Sequence, residues 1–281
     1  MVRESIKPEL TAITLITLFF GVLALLFELG VFARKVPVSE MKIKVVESLV
    51  PLNSSPTGLA AGEDLLWVSY PSQGLILGIN LTDGTVARRL TVKGMVPTEL
   101  AYGAGILWIA DALIGQVIAI DPSRGEVVER VCEELVYPTA LAYYNGTLYV
   151  YDAASRGLMA FSGGKVTVLM TGVPPLRGLT ASEEGLWLLV PDNATLLLLS
   201  WEGFSRRRTY YTPTPAASGL AWDGRYLWVG DYVSFSLLKL DPTAKIWKVV
   251  NARAPSWLLP LYLIAVSPFL LSIASKASQH S

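Results

Sequence analysis

The sequence predicts an all-β protein: a β-propeller of about five four-stranded blades, with six blades as the alternative, flanked by an N-terminal and a C-terminal transmembrane helix. Three observations predict it. Short strand-like segments recur at a nearly constant spacing. Turn residues divide every pair of these segments. A long uncharged apolar run lies close to each end of the chain.

The repeat is carried by Leu59, Leu100, Leu141, Leu179 and Leu220, which are 41, 41, 38 and 41 residues apart. Eight residues after each leucine stands an aromatic: Trp67, Trp108, Tyr149, Trp187 and Trp228. Thirteen residues further on, a polar residue closes the third segment: Asn80, Asp121, Ser162, Ser200 and Asp241. In the second unit the segments read "ELAY", "ILWIAD", "QVIAID" and "EVVERV", divided by "GAG", "ALIG" and "PSRG". These are strand and turn signals with no helical period. Four strands in about 40 residues is the size of a propeller blade. An open stack of such sheets would leave long apolar edges exposed, whereas radial closure leaves short ones. The recurring aromatics belong in the second strand, where their area fills the space between adjacent blades.

The propeller is expected over residues 56–253, with repeats starting near 56, 97, 138, 176 and 217, after a linker and first strand over 34–55. Two further runs resemble outer strands: "MKIKVVESLV" at 41–50 and "KIWKVVN" at 245–251. One of them is expected to complete the ring by pairing with strands from the opposite terminus.

Short tails, 1–9 and 276–281, bracket the two expected spans, 10–33 and 254–275. Residues 10–27, "LTAITLITLFFGVLALLF", carry no charge, and neither do residues 254–275. Crossing a bilayer takes about 20 apolar residues. The first run exceeds the roughly 7–15 apolar residues of a signal peptide and no small-x-small site follows it, so an uncleaved anchor is expected. A propeller brings its ends together, which puts both tails on one side of the membrane and the propeller on the other. Arg34, Lys35, Lys42, Lys44, Lys245, Lys248 and Arg253 beside the propeller outnumber Arg3, Lys7 and Lys276 on the tails, which argues for a cytoplasmic propeller. The asparagines argue the other way. Four of the five, Asn53, Asn80, Asn145 and Asn193, sit in N-x-S/T sequons at expected turns. That pattern carries more weight, and the propeller is expected to be extracytoplasmic and N-glycosylated at the cell membrane. Five asparagines, three glutamines and one cysteine in 281 residues also point to a thermophilic source.

A formal net charge of zero gives no sign of nucleic-acid binding. Cys132 is the one cysteine and reads as a small buried hydrophobe. His280 is the one histidine and lies in the tail, so neither Ser-His-Asp nor Cys-His chemistry is available in the propeller. Asp111, Asp152 and Asp231 each follow a blade aromatic by three residues, at the ends of second strands. Together they could hold Ca²⁺ through oxygen ligands. Alternatively each caps its own turn by hydrogen bonds to the backbone. "SRRRTYY", 205–211, reads as an edge strand protected by charge.

The stretch "LWIADALIGQVIAIDPSRGEVV" resembles the repeat of the NHL, YVTN and virginiamycin-B-lyase-like β-propellers, and the likeness covers residues 56–251. The resemblance implies the fold. It does not extend to the lyase activity, which in that family depends on a histidine absent from this propeller. The functional expectation is therefore a membrane-anchored, non-catalytic interaction module or accessory subunit. It would hold lipid through two spans and other membrane or cell-surface proteins through its loops, and would need no cofactor. The alternative is a metal-dependent hydrolase or lactonase with Asp111, Asp152 and Asp231 around a divalent ion.

Overall fold

The computed structural model of the chain describes residues 8–29, 31–32, 34–37, 42–92, 94–131, 135–244 and 247–250. Contacts divide the chain into two units, one drawing on residues 1–38 and 247–281 and the other on residues 39–246.

The larger unit is a five-bladed propeller. Blade 1 is formed by Leu59–Gly62, Leu65–Tyr70, Leu75–Asn80 and Val86–Thr91, in meander order. Blade 2 follows with Glu99–Gly103, Ile106–Asp111, Gln116–Asp121 and Glu126–Val131. Blade 3 uses Pro138–Tyr144, Thr147–Asp152, Gly157–Ser162 and Lys165–Met170, and blade 4 uses Gly178–Ser182, Gly185–Val190, Thr195–Ser200 and Arg206–Tyr211. Blade 5 takes Ala217–Trp222, Leu227–Asp231 and Ser236–Asp241 from the C-terminal side. Its outer strand is Lys44–Leu49, paired antiparallel with Ser236–Asp241 so that Lys44 faces Asp241 and Leu49 faces Leu237. The N-terminal of the two strand-like runs therefore closes the ring. The C-terminal run is used elsewhere: Trp247–Val250 pairs antiparallel with Arg34–Pro37 in the smaller unit.

Five apolar clusters hold the ring, one at each junction between neighbouring blades. Trp67 packs with Leu100 and Leu107 between blades 1 and 2. Trp108 lies against Leu141 and Leu148 between blades 2 and 3. Tyr149 joins Leu179 and Leu186, Trp187 joins Leu220 and Leu227, and Trp228 joins Leu59 and Leu66. Each aromatic thus spans from its own blade to the next, which is the reason for the fixed offset of eight residues. Hydrogen bonds add to the closure between blades 5 and 1: Ser218 Oγ donates to the Pro56 carbonyl at 2.7 Å and Ser55 Oγ to the Tyr232 carbonyl at 2.8 Å. At this junction Gly219 has φ +60°, and a Cβ on it would run into the Thr57 carbonyl and Leu59. Outer strands are solvated. Arg206–Tyr211 pairs along its length with Thr195–Ser200 and touches Lys42 only through a single parallel bridge at Tyr211, and Arg206, Arg207 and Arg208 are exposed, as a charge-protected edge requires.

In the smaller unit a helix, α1, spans Pro8–Glu28. Its side chains are described from Leu15 onward, where Leu15, Ile16, Leu18, Phe19, Val22 and Leu25 are exposed. Among the described residues no helix is long and apolar enough to cross a membrane, so the expected flanking spans are not supported here. The expected second span, 254–275, and Cys132 lie outside the described residues.

Candidate functional site

The two faces of the propeller differ in chemistry. On one, which we call the loop face, second strands end and inner strands begin. Asp111, Asp152 and Asp231 stand there, buried, and each spends its carboxylate on its own surroundings. Asp111 accepts the Val96 N–H at 2.8 Å and the Leu113 N–H at 3.0 Å. Asp152 Oδ1 accepts the Tyr137 N–H at 2.6 Å and the Ala154 N–H at 3.3 Å, and its Oδ2 accepts the Ser155 hydroxyl at 3.0 Å. Asp231 accepts the N–H groups of Val233 at 2.9 Å and Ser234 at 3.0 Å. Burial pushes the Asp231 carboxyl up, but hydrogen bonds from Ser234, Thr214 and Val233 outweigh it and hold it below the ordinary range. Among the described residues no group of three His, Cys, Asp or Glu side chains could hold a metal ion. Each of the three aspartates organises its own turn, its oxygens facing backbone and hydroxyl donors. At the same register blades 1 and 4 have Tyr70 and Val190. Burial raises the Tyr70 phenol to about 12.

Around these aspartates the loop face carries exposed apolar side chains on blades 2, 3 and 5, beside exposed polar ones such as Gln73, Arg156 and Asp192. Leu113 and Ile114 in the turn after Asp111 are 69% and 53% exposed. Val136 and Tyr137, in the loop entering blade 3, are 67% and 46% exposed. The two pairs are neighbours, since a Cβ on Gly115 would meet the carbonyls of Leu135 and Val136 at 3.0 Å. On blade 5, Tyr232 and Val233 are also exposed, and the Arg177 guanidinium lies 5.3 Å from the Tyr232 ring centre.

On the opposite face inner strands end. The outer strand of blade 5 also begins there, with Lys44 facing Asp241. The five inner strands enclose a central cavity of about 100 Å³. Leu59, Leu100, Leu141 and Leu179 form one layer of its wall. Two residues further along each strand the five blades present Ala61, Tyr102, Tyr143, Ala181 and Trp222. Tyr102 lies over Gly62 and Tyr143 over Gly103, where a Cβ would overlap each ring. Tyr143 also stacks on Trp108, with centroids 6.1 Å apart. The Trp222 N–H donates to Thr180 Oγ1 at 3.1 Å. Burial, then the nearby Glu63 carboxylate, push the pKa of the Tyr102 hydroxyl well up.

One residue before each inner-strand leucine stand Gly58, Glu99, Ala140, Gly178 and Gly219. The small residues are required, because a Cβ on Gly58 would collide with the Glu99 backbone and one on Gly178 with that of Leu220. Glu99 breaks the pattern. It is 1% exposed, and its Oε1 accepts the N–H groups of Leu59 at 3.2 Å and Leu100 at 3.1 Å. Burial drives its carboxyl well above the ordinary glutamate range, and the two hydrogen bonds offset only part of that. Neither Glu99 nor the aromatic layer stood out in the linear sequence. Aligning the five repeats exposes both, as the one acid in a column of small residues and as three aromatics in a column shared with two alanines.

Fold and site together define the class: a five-bladed β-propeller with a narrow central cavity. No protein family matches the chain, and no curated protein matches it. Solved structures do. Glutaminyl cyclase from Myxococcus xanthus superposes with a TM-score of 0.59 at 12% identity, covering 74% of this chain and 97% of that one. A chain of a nidogen/laminin complex gives 0.51 at 16% identity, over 72% and 81%. Virginiamycin B lyase from Staphylococcus aureus gives 0.45 at 18% identity, over 69% and 68%. At these identities the likeness is one of fold. It nevertheless corrects the expectation of a non-catalytic chain: glutaminyl cyclase is an enzyme on this fold, so the fold gives no ground for denying catalysis.

Proposed function

We propose that the chain is a lipid-tethered, extracytoplasmic propeller that docks a membrane or cell-surface protein on its loop face. The observation that carries this reading is the concentration of exposed apolar side chains there. Leu113, Ile114, Val136 and Tyr137 form one contiguous patch, with Tyr232 and Val233 across the ring. Four of the five hairpin tips of the opposite face carry polar residues, Glu63–Asp64, Asn145–Gly146, Glu183–Glu184 and Asp223–Gly224, and the fifth is Ala104–Gly105. A contiguous apolar patch rimmed by polar residues is the usual mark of a protein-binding surface. The exposed apolar side chains of α1 support a lipid tether, which would cover them. Asn53, Asn145 and Asn193 are exposed, as glycan acceptors must be. A neighbour of this fold solved within a nidogen/laminin complex is consistent with partner docking.

The test is crosslinking in native membranes with the wild type and with Leu113→Asp/Val136→Asp. A discrete crosslinked partner that disappears in the double variant, at unchanged melting temperature, is expected. A wild type that crosslinks to nothing, or a partner retained in full by the variant, overturns the reading.

A further inference from the structure

We propose that the outer edge of blade 3 pairs two copies of this chain, the strand Lys165–Met170 of one copy running antiparallel to the same strand of the other across a two-fold axis. This edge lies on the rim of the propeller, and the pairing does not depend on docking at the loop face.

Each blade ends in an outer strand with one unpaired backbone edge, and such an edge accepts another strand unless something blocks it. Four blades are blocked twice. Their outer strands carry two or three charges: "VARRLT" in blade 1, "EVVERV" in blade 2, "RRRTYY" in blade 4 and "KVVESL" in blade 5. A bulge also breaks each of them within its first three residues, at Ala87, Val128, Arg207 and Val46. Blade 3 departs on both counts. Its strand reads "KVTVLM", and Lys165 is the one charged residue between Gly157 and Leu176. Its bulge falls at the fifth residue, Leu169, so Lys165, Val166, Thr167 and Val168 keep a regular register with Ser162, Phe161, Ala160 and Met159. All four are exposed. Among the described residues the strand pairs only with Gly157–Ser162.

The pattern fits a second copy of itself. The two-residue turn at Gly163 and Gly164, with φ of +56° and +74°, makes Ser162 and Lys165 a hydrogen-bonded pair. Val166 and Val168 therefore turn their N–H and C=O groups outward. With Thr167 on the two-fold axis, Val166 of each copy exchanges both hydrogen bonds with Val168 of the other. The valines then meet as β-branched cross-strand pairs on one face of the joined sheet, and the two threonines meet on the opposite face. Each Lys165 lies across from Leu169 of the other copy, which keeps the two ammonium groups roughly 13 Å apart along the strands. The same register in blades 1 and 4, centred on the third residue, would set Arg88 or Arg208 against its own counterpart. Like charges directly opposite each other disfavour pairing, so blade 3 is the edge that two copies can share.

The test uses the full chain in a non-ionic detergent, with Cys132→Ala throughout. Thr167→Cys places two thiols across the axis, where the Cα atoms of a non-hydrogen-bonded pair stand about 4.5 Å apart, within reach of a disulfide. Mild oxidation is expected to give mostly a disulfide-linked dimer on a non-reducing gel. Val127→Cys, on the exposed outer strand of blade 2, reads random collision and is expected to stay monomeric. Val168 is 59% exposed, so Val168→Lys leaves the melting temperature unchanged. Added to Thr167→Cys it is expected to cut dimer formation at least about tenfold, because a charged edge resists pairing. Sedimentation of the chain with Thr167 in place is expected to show a dimer that Val168→Lys returns to monomer. Absence of the Thr167→Cys dimer, equal dimer from Val127→Cys, full dimer in the Val168→Lys variant, or a crosslink to a different protein in native membranes in place of the homodimer overturns the proposal.

Discussion

Glu99→Gln gives the sharpest energetic prediction. The amide keeps an acceptor for the Leu59 and Leu100 N–H groups and removes the ionisable acid from a fully buried position. Burial raises the folded pKa of Glu99, so between the unfolded pKa of about 4.3 and the folded value the native state binds one proton more than the unfolded state. Wild-type stability from this group is therefore fully present below the unfolded pKa and is lost as pH rises. The loss is about 1.4 kcal/mol per pH unit across that window. For a unit of this size it equals roughly 3–6 °C in melting temperature per pH unit. Other titrating groups, including Asp231 and Asp241 with their lowered pKa values, contribute equally to both proteins and cancel in the difference. Calorimetric melting of both full chains from pH 4 to pH 8 measures it. The two should melt together at pH 4, and Glu99→Gln should gain steadily on the wild type above pH 5. A difference that is flat with pH, or that favours the wild type as pH rises, refutes the reasoning.

Three further outcomes are expected. Gly219→Ala places a Cβ against the Thr57 carbonyl in a left-handed backbone and should destabilise by about 3 kcal/mol or more in denaturant unfolding. Deleting residues 1–49 removes the outer strand of blade 5 and should lower the melting temperature by about 10 °C or more, while deleting 1–38 keeps that strand and should not. Intact mass of chain from its native membrane should exceed that of the bare polypeptide and fall stepwise with Asn53→Gln, Asn145→Gln and Asn193→Gln.

The blades were legible because each needs one leucine and one aromatic at a fixed offset to reach the next blade, as the Trp67, Leu100 and Leu107 cluster shows. Ring closure was only half legible. Residues 41–50 and 245–251 share the same Lys/Val pattern, and register distinguishes them: Glu47 meets Lys239 at 3.2 Å. Asp111, Asp152 and Asp231 were visible as a phased set, but their ligands are backbone N–H groups, which no side-chain pattern reveals. Glu99 reads alone as an ordinary polar strand residue. Its meaning lies in Gly58, Gly178 and Gly219, which show how little space that layer has. Tyr102, Tyr143 and Trp222 are separated by 41 and 79 residues, and only the closed ring brings them to one layer.

The central claim, a ring closed by the N-terminal strand, is tested most directly by Glu47→Cys/Lys239→Cys with Cys132→Ala, followed by mild oxidation and proteolysis between blades. The closed ring predicts two fragments held together on a non-reducing gel, released by reductant, with the melting temperature preserved. Fragments that separate without reductant, from protein that is otherwise folded, would contradict it.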